Sequence, residues 1–132
     1  MHRMVRESEL EPHVRFLGQV ASDRLNTVLS SADVFVLPTR NEGWANVILE
    51  ALACGVPVVA TDVGGNAEVI SSEKLGILVP FGDPEALYKA LRNALACEWD
   101  SGALVSYACN NSWDERVETL TAEFTRISTR KP

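Results

Sequence analysis

Short apolar runs alternate along this chain with segments whose apolar positions recur at helical spacing. Val34–Pro38 (VFVLP) and Val56–Thr61 (VPVVAT) are near-continuous apolar runs, which predict strands buried on both faces. Gly76–Pro80 (GILVP) reads the same way, and Val14–Gly18 (VRFLG) reads as a shorter strand ended by glycine. Leu25, Val28, Leu29 and Ala32 recur at i, i+3, i+4 and i+7, so Ser22–Ala32 is predicted as an amphipathic helix. Asn46–Cys54 is a second helix, stopped by Gly55 with Pro57 just beyond. Gly64-Gly65 turns into a short helix near Ala67–Ser71. Asp83 caps a further helix with Pro84 at its first position, and Leu87, Ala90, Leu91, Ala94 and Leu95 form its inner stripe. Ser112-Trp-Asp-Glu115 is a capping box for a final helix with Trp113, Val117, Leu120, Phe124 and Ile127 on one face. Core packing is expected for Phe124, whereas Trp113 suits either the core or a neighbouring domain. The tail Ser128–Pro132 is expected to fray.

Strands that read as continuous apolar runs, separated by helices, imply an α/β fold: a Rossmann-like parallel sheet with flanking helices. Ligands bind such sheets beyond the carboxyl ends of the strands. The loops at those ends are Gly18–Ser22, Thr39–Ala45, Asp62–Asn66 and Phe81–Asp83.

Composition narrows the function. The 132 residues fit one domain with a real core. A net charge of -6 argues against a broad nucleic-acid footprint, although a nucleotide needs only a few local donors. No apolar run approaches a membrane span, and the start MHRMVRESELEP has no hydrophobic core of a signal peptide. Cys54, Cys97 and Cys109 are odd in number and lack any Cys-x-x-Cys spacing, which fits reduced thiols in a cytoplasmic protein. His2 and His13 lie in the polar N-terminal region and read as surface residues.

The chemistry concentrates in NEGWANVILEALACGVPVVATDVGG, from Asn41 to Gly65. Glu42 and Glu50 stand eight positions apart across a loop-to-helix junction, with an exposed aromatic, Trp44, between them. Gly43 allows close backbone approach. The backbone N–H groups near Ala45, Asn46 and Val47 open a helix, so they can meet a phosphate. Glu50 lies a turn further on, where a carboxylate can accept two hydrogen bonds from a ribose diol; as a helix residue it could equally be merely solvated.

The stretch Val14–Leu95 resembles the C-terminal nucleotide-binding domain of GT-B fold glycosyltransferases, in particular the family-four group of retaining enzymes. The resemblance rests on FLGQV, ADVFVLPTRNEGWANVILEALACGVPVVATDVGG, AEVI and GILVPFGDPEAL, with SWDERVETL similar to the family's terminal helix. It implies transfer of a sugar from a nucleoside diphosphate sugar to an acceptor with retention. Glu42 would orient the donor sugar beside its anomeric carbon, and Glu50 would bind the ribose. Gly43, Trp44, Ala45, Asn46 and Val47 would contact sugar and diphosphate. Gln19 and Val20 would lie near the nucleobase. The family needs no Asp-x-Asp metal site and no cofactor beyond the donor, and none of that motif is present.

The resemblance is partial. The family's diphosphate-gripping Arg and Lys come from an earlier segment, after the domain's first strand, and only Met1–His13 precedes the matching region here. Arg24 and Arg40 are the nearby cations and match neither. The chain is therefore expected to be a truncated donor-binding domain, its N-terminal acceptor domain absent, inactive by itself. The two missing strands belong between VRFLG and VFVLP, so the three later strands are expected to pair as neighbours, while VRFLG loses its partners and leaves an open edge where association is plausible. The acceptor is not specified, and the parent enzyme could be peripheral to a membrane. A non-catalytic nucleotide-sugar or partner-binding module and a nucleotide-sugar epimerase are the competing readings; Glu42 and Glu50 together favour transfer.

Overall fold

A computed structural model describes residues 1–129, without the side chains of residues 113–116. The chain opens with α1 (His2–Glu7) and a one-turn 3-10 helix (Glu11–His13). There follow α2 (Ser22–Leu29), β1 (Phe35–Leu37), α3 (Asn46–Ala53), β2 (Val58–Thr61), α4 (Asn66–Val69), β3 (Gly76–Val79), α5 (Pro84–Ala96), α6 (Ser101–Asn110) and α7 (Trp113–Thr129). The three strands form a parallel sheet in chain order, β1-β2-β3, with Val36 opposite Val59 and Val59 opposite Ile77.

Alternation along β2 explains the layers. Val58 and Ala60 face a core built with Ile48, Ala51 and Leu52 of α3, Val69 of α4 and Leu104 of α6. Val59 faces the opposite side, where Val79, Ala90 and Ala94 pack it against α5. All four residues of β2 are buried, because helices cover both its faces and a strand flanks each of its edges. The expected doubly covered parallel sheet is therefore present, with the three later strands as neighbours.

Several expectations need correction. Val14–Gly18 forms no strand: the segment is unpaired, and Phe16 and Leu17 are 43% and 60% exposed. A strand exists only by pairing, and no described strand pairs with it; instead the His2 ring packs on Phe16, with centroids 3.7 Å apart. β1 is half-buried and not buried on both faces, since it is an edge strand. Helix α2 stops at Leu29, three residues short of Ala32, where the Ser31 hydroxyl donates to the Val28 carbonyl. On α5, Ala90 and Ala94 are buried but Leu95 is 64% exposed, because the sheet reaches only part of the expected stripe.

Helix α6 was not foreseen. Asp100 caps it, its carboxylate accepting from the Ala103 N–H at 3.0 Å, and Leu104 and Ala108 seal α3. Helix α7 shows its apolar residues to solvent: Val117, Leu120, Phe124 and Ile127 are all more than half exposed, and Phe124 does not enter the core as expected. Ser128 and Thr129 remain helical, the Thr129 hydroxyl donating to the Thr125 carbonyl at 3.0 Å. The capping-box and Trp113 side-chain assignments, and the last three residues of the tail, lie outside the described residues.

Candidate functional site

The loop after β1 carries Glu42 and Gly43, and two features hold it over the strand ends. Gly64 and Gly65, after β2, lie directly against it, and the Gly65 N–H donates to the Gly43 carbonyl at 2.9 Å. A Cβ on Gly64 would overlap the Glu42 carbonyl group, and one on Gly65 would stand 2.6 Å from the Gly43 oxygen. Gly64 also has φ +54°, a left-handed value that favours glycine. The glycine pair is thus the floor of the acidic loop, a role hidden in the sequence because a turn alone accounts for two glycines. The second feature is polar: the Thr61 hydroxyl donates to the Thr39 carbonyl at 2.6 Å, at the start of the same loop.

Helix α3 begins immediately afterwards. Ala45 precedes it and is buried, and no side chain caps the helix. The Asn46 N–H is not wholly available, since it reaches the Trp44 carbonyl at 3.1 Å, and the Ile48 N–H bonds the Ala45 carbonyl at 3.0 Å. Trp44 is half-buried, packed against the α3 core and over Gly65, and is not the exposed aromatic expected. Burial of its ring follows from the short reach between the Gly43–Gly65 contact and the buried Ala45.

Trp44, Asn46 and Glu50 line one cleft of about 240 Å³ between α3 and α6, with Leu49, Ala53, Ala108, Asn111 and Ser112. Glu50 is exposed on α3 and faces this cleft, while Glu42 is half-buried in its loop. Glu42, Gly43 and Val47 do not line the cleft; neither do Gln19 and Val20, which precede α2. The cleft is below the roughly 300–1,000 Å³ typical of a whole small-molecule site, so it has room for part of a larger ligand. Among the described residues no cationic side chain lines it, and Arg24 and Arg40 are exposed elsewhere. Asn111 and Ser112 were missed because α6 was missed: it has few large apolar residues to set a helical period.

Residues 1–97 match the family described as glycosyl transferases group 1. The chain belongs to that family. Among similar proteins, D-inositol 3-phosphate glycosyltransferase of Salinispora arenicola is 37% identical over 81% of this chain and 25% of its own length. The same-named protein of Corynebacterium urealyticum is 32% identical over 98% of this chain and 31% of its own length. A solved structure of sucrose-phosphate synthase from Thermosynechococcus elongatus superposes with a TM-score of 0.79 at 29% identity, covering 98% of this chain and 34% of that one. This group 1 chain therefore spans about a quarter to a third of these relatives. The match sets aside the epimerase reading, because the family and its similar proteins are named as transferases or a synthase of sugars. Among the described residues, no helix is long and apolar enough to cross a membrane.

Proposed function

We propose that this chain is the donor-binding portion of a retaining glycosyltransferase that moves a sugar from a nucleoside diphosphate sugar to an acceptor hydroxyl. The observation that carries the reading is the meeting of Glu50, Asn46 and Trp44 around one cleft that runs along α3 beside α6, in a chain of this family. Glu50 accepts hydrogen bonds from the ribose hydroxyls. Glu42, on the loop above the strand ends, orients the hydroxyls of the donor sugar near its anomeric carbon. Gly43 to Val47 present backbone N–H groups to the sugar and diphosphate, favoured by the dipole of α3. Gln19 and Val20 are assigned to the nucleobase side by family likeness.

Transfer breaks the bond from the anomeric carbon to the diphosphate, and negative charge builds on the leaving group. Helix N-termini and basic side chains stabilise that charge, without a metal or further cofactor in this proposal. Among the described residues no cation lines the cleft, so on this reading the gripping cations and the acceptor domain come from elsewhere, as the greater length of the relatives accommodates. On this reading the chain binds donor without transferring sugar by itself. The three free cysteines suit a reducing compartment, the cytoplasm.

Ligand-observed NMR of the purified chain against UDP, GDP and ADP tests the reading. Binding of one nucleotide, weakened by about 1–3 kcal/mol in Glu50→Ala, is expected for a charge-assisted pair of hydrogen bonds. Glu42→Gln should leave that nucleotide unaffected and weaken only the matching nucleotide sugar. Equal effects of both changes on the bare nucleotide would remove the division of roles.

A further inference from the structure

Two buried polar side chains, Thr61 and Asn66, sit under the Glu42 loop and do not line the cleft that Glu50 faces. Thr61 ends β2, is 3% exposed, and donates its hydroxyl proton to the Thr39 carbonyl. Asn66 opens α4 and is fully buried; its Nδ2 donates to the Thr61 carbonyl at 2.9 Å. The Asn66 Oδ1 and the Thr39 hydroxyl are buried with no hydrogen-bond partner among the described residues. A buried amide that is only half satisfied carries a desolvation cost, so packing alone would be better served by leucine there. The hydrogen bonds instead form a chain from α4, through the end of β2, to the first residue of the acidic loop. The Gly65–Gly43 backbone bond runs beside it.

We propose that Thr61 and Asn66 are positioning residues, which tie the acidic loop to the end of β2 and set where the Glu42 carboxylate meets the donor sugar. The effect on donor rests on the function proposed above; the tether itself does not. Both act through the loop backbone, by the Thr61–Thr39 and Asn66–Thr61 hydrogen bonds. Glu50 stands on α3 and lies outside this chain of bonds, so the nucleotide half of the site is independent of it.

The test uses the whole 132-residue chain as wild type, Thr61→Val and Asn66→Leu, each change keeping the number and branching of side-chain heavy atoms while removing the donor. Without ligand, the Gly65 amide is expected to exchange about tenfold faster in both variants, as one buried bond opens locally, while β3 and α5 keep their protection. Amide shifts of residues 39–44 should move with it. Unchanged Gly65 exchange overturns the proposal, as does a uniform loss of protection across the chain, which is ordinary destabilisation. With ligand, the variants are expected to bind the nucleotide sugar about tenfold more weakly and the bare nucleoside diphosphate unchanged. Equal loss of both overturns the link to donor sugar. If the wild type binds neither, the donor-site reading fails, and the exchange result alone decides the tether.

Discussion

Gly64→Ala adds one methyl group at the point where the two loops of the site touch. The new Cβ would stand 2.7 Å from the Glu42 carbonyl carbon and closer still to its oxygen. Those atoms are backbone, so no side-chain rotation relieves the overlap, and the Glu42 loop must lift. The backbone also has φ +54°, which costs an L-residue about 1–2 kcal/mol. Overpacking of this kind adds about 1–3 kcal/mol, for a total of about 2–5 kcal/mol. Gly18→Ala is the control: its φ is +65°, yet its Cβ would meet nothing within 4 Å. It should lose only the backbone share, about 1–2 kcal/mol. At about 4 °C per kcal/mol for a domain of this size, the midpoints fall by about 8–20 °C and about 4–8 °C. Thermal unfolding followed by far-ultraviolet circular dichroism measures both. Equal losses in the two variants would show that the Gly64 turn does not press on the Glu42 loop, and the account of the site floor would be wrong.

Other outcomes follow from the packing. Leu104→Ala removes a fully buried side chain from α6 and should cost about 2–5 kcal/mol, whereas Phe124→Ala, on a residue 68% exposed, should stay within about 0.5 kcal/mol; urea midpoints separate them. Asp83→Ala removes the carboxylate that accepts from the Ala86 N–H at 2.9 Å, and should cost about 1 kcal/mol in the same denaturation assay, with Asp83→Asn nearly neutral.

The regular elements around the site were legible because burial on both faces writes itself into a strand. Val58–Thr61 reads as a continuous apolar run, and it is the central, fully buried strand. Helix α3 carries Ile48, Ala51 and Leu52 at core spacing and ends before Gly55. Glu42, Gly43 and Glu50 stand out in the sequence as site candidates for a different reason: a carboxylate and a glycine ahead of a helix, and a second carboxylate on it, are not what packing selects.

Pairing and cover were decided only in three dimensions. Val14–Leu17 has strand residues, but a strand is a property of two segments, and no described segment pairs with it. Phe124 and Leu104 are both apolar helix residues; which one reached the core depended on α6 docking on α3, a choice no local pattern contains. The Gly64–Gly65 turn and the Thr61–Asn66 bonds likewise join residues some twenty positions apart to the Glu42 loop, through contacts of a few ångströms. The sequence by itself determined the strand and helix types and the two carboxylates, because period and residue chemistry are local. The tertiary structure decided the helix that seals the sheet and the floor beneath Glu42, because each depends on which surfaces meet.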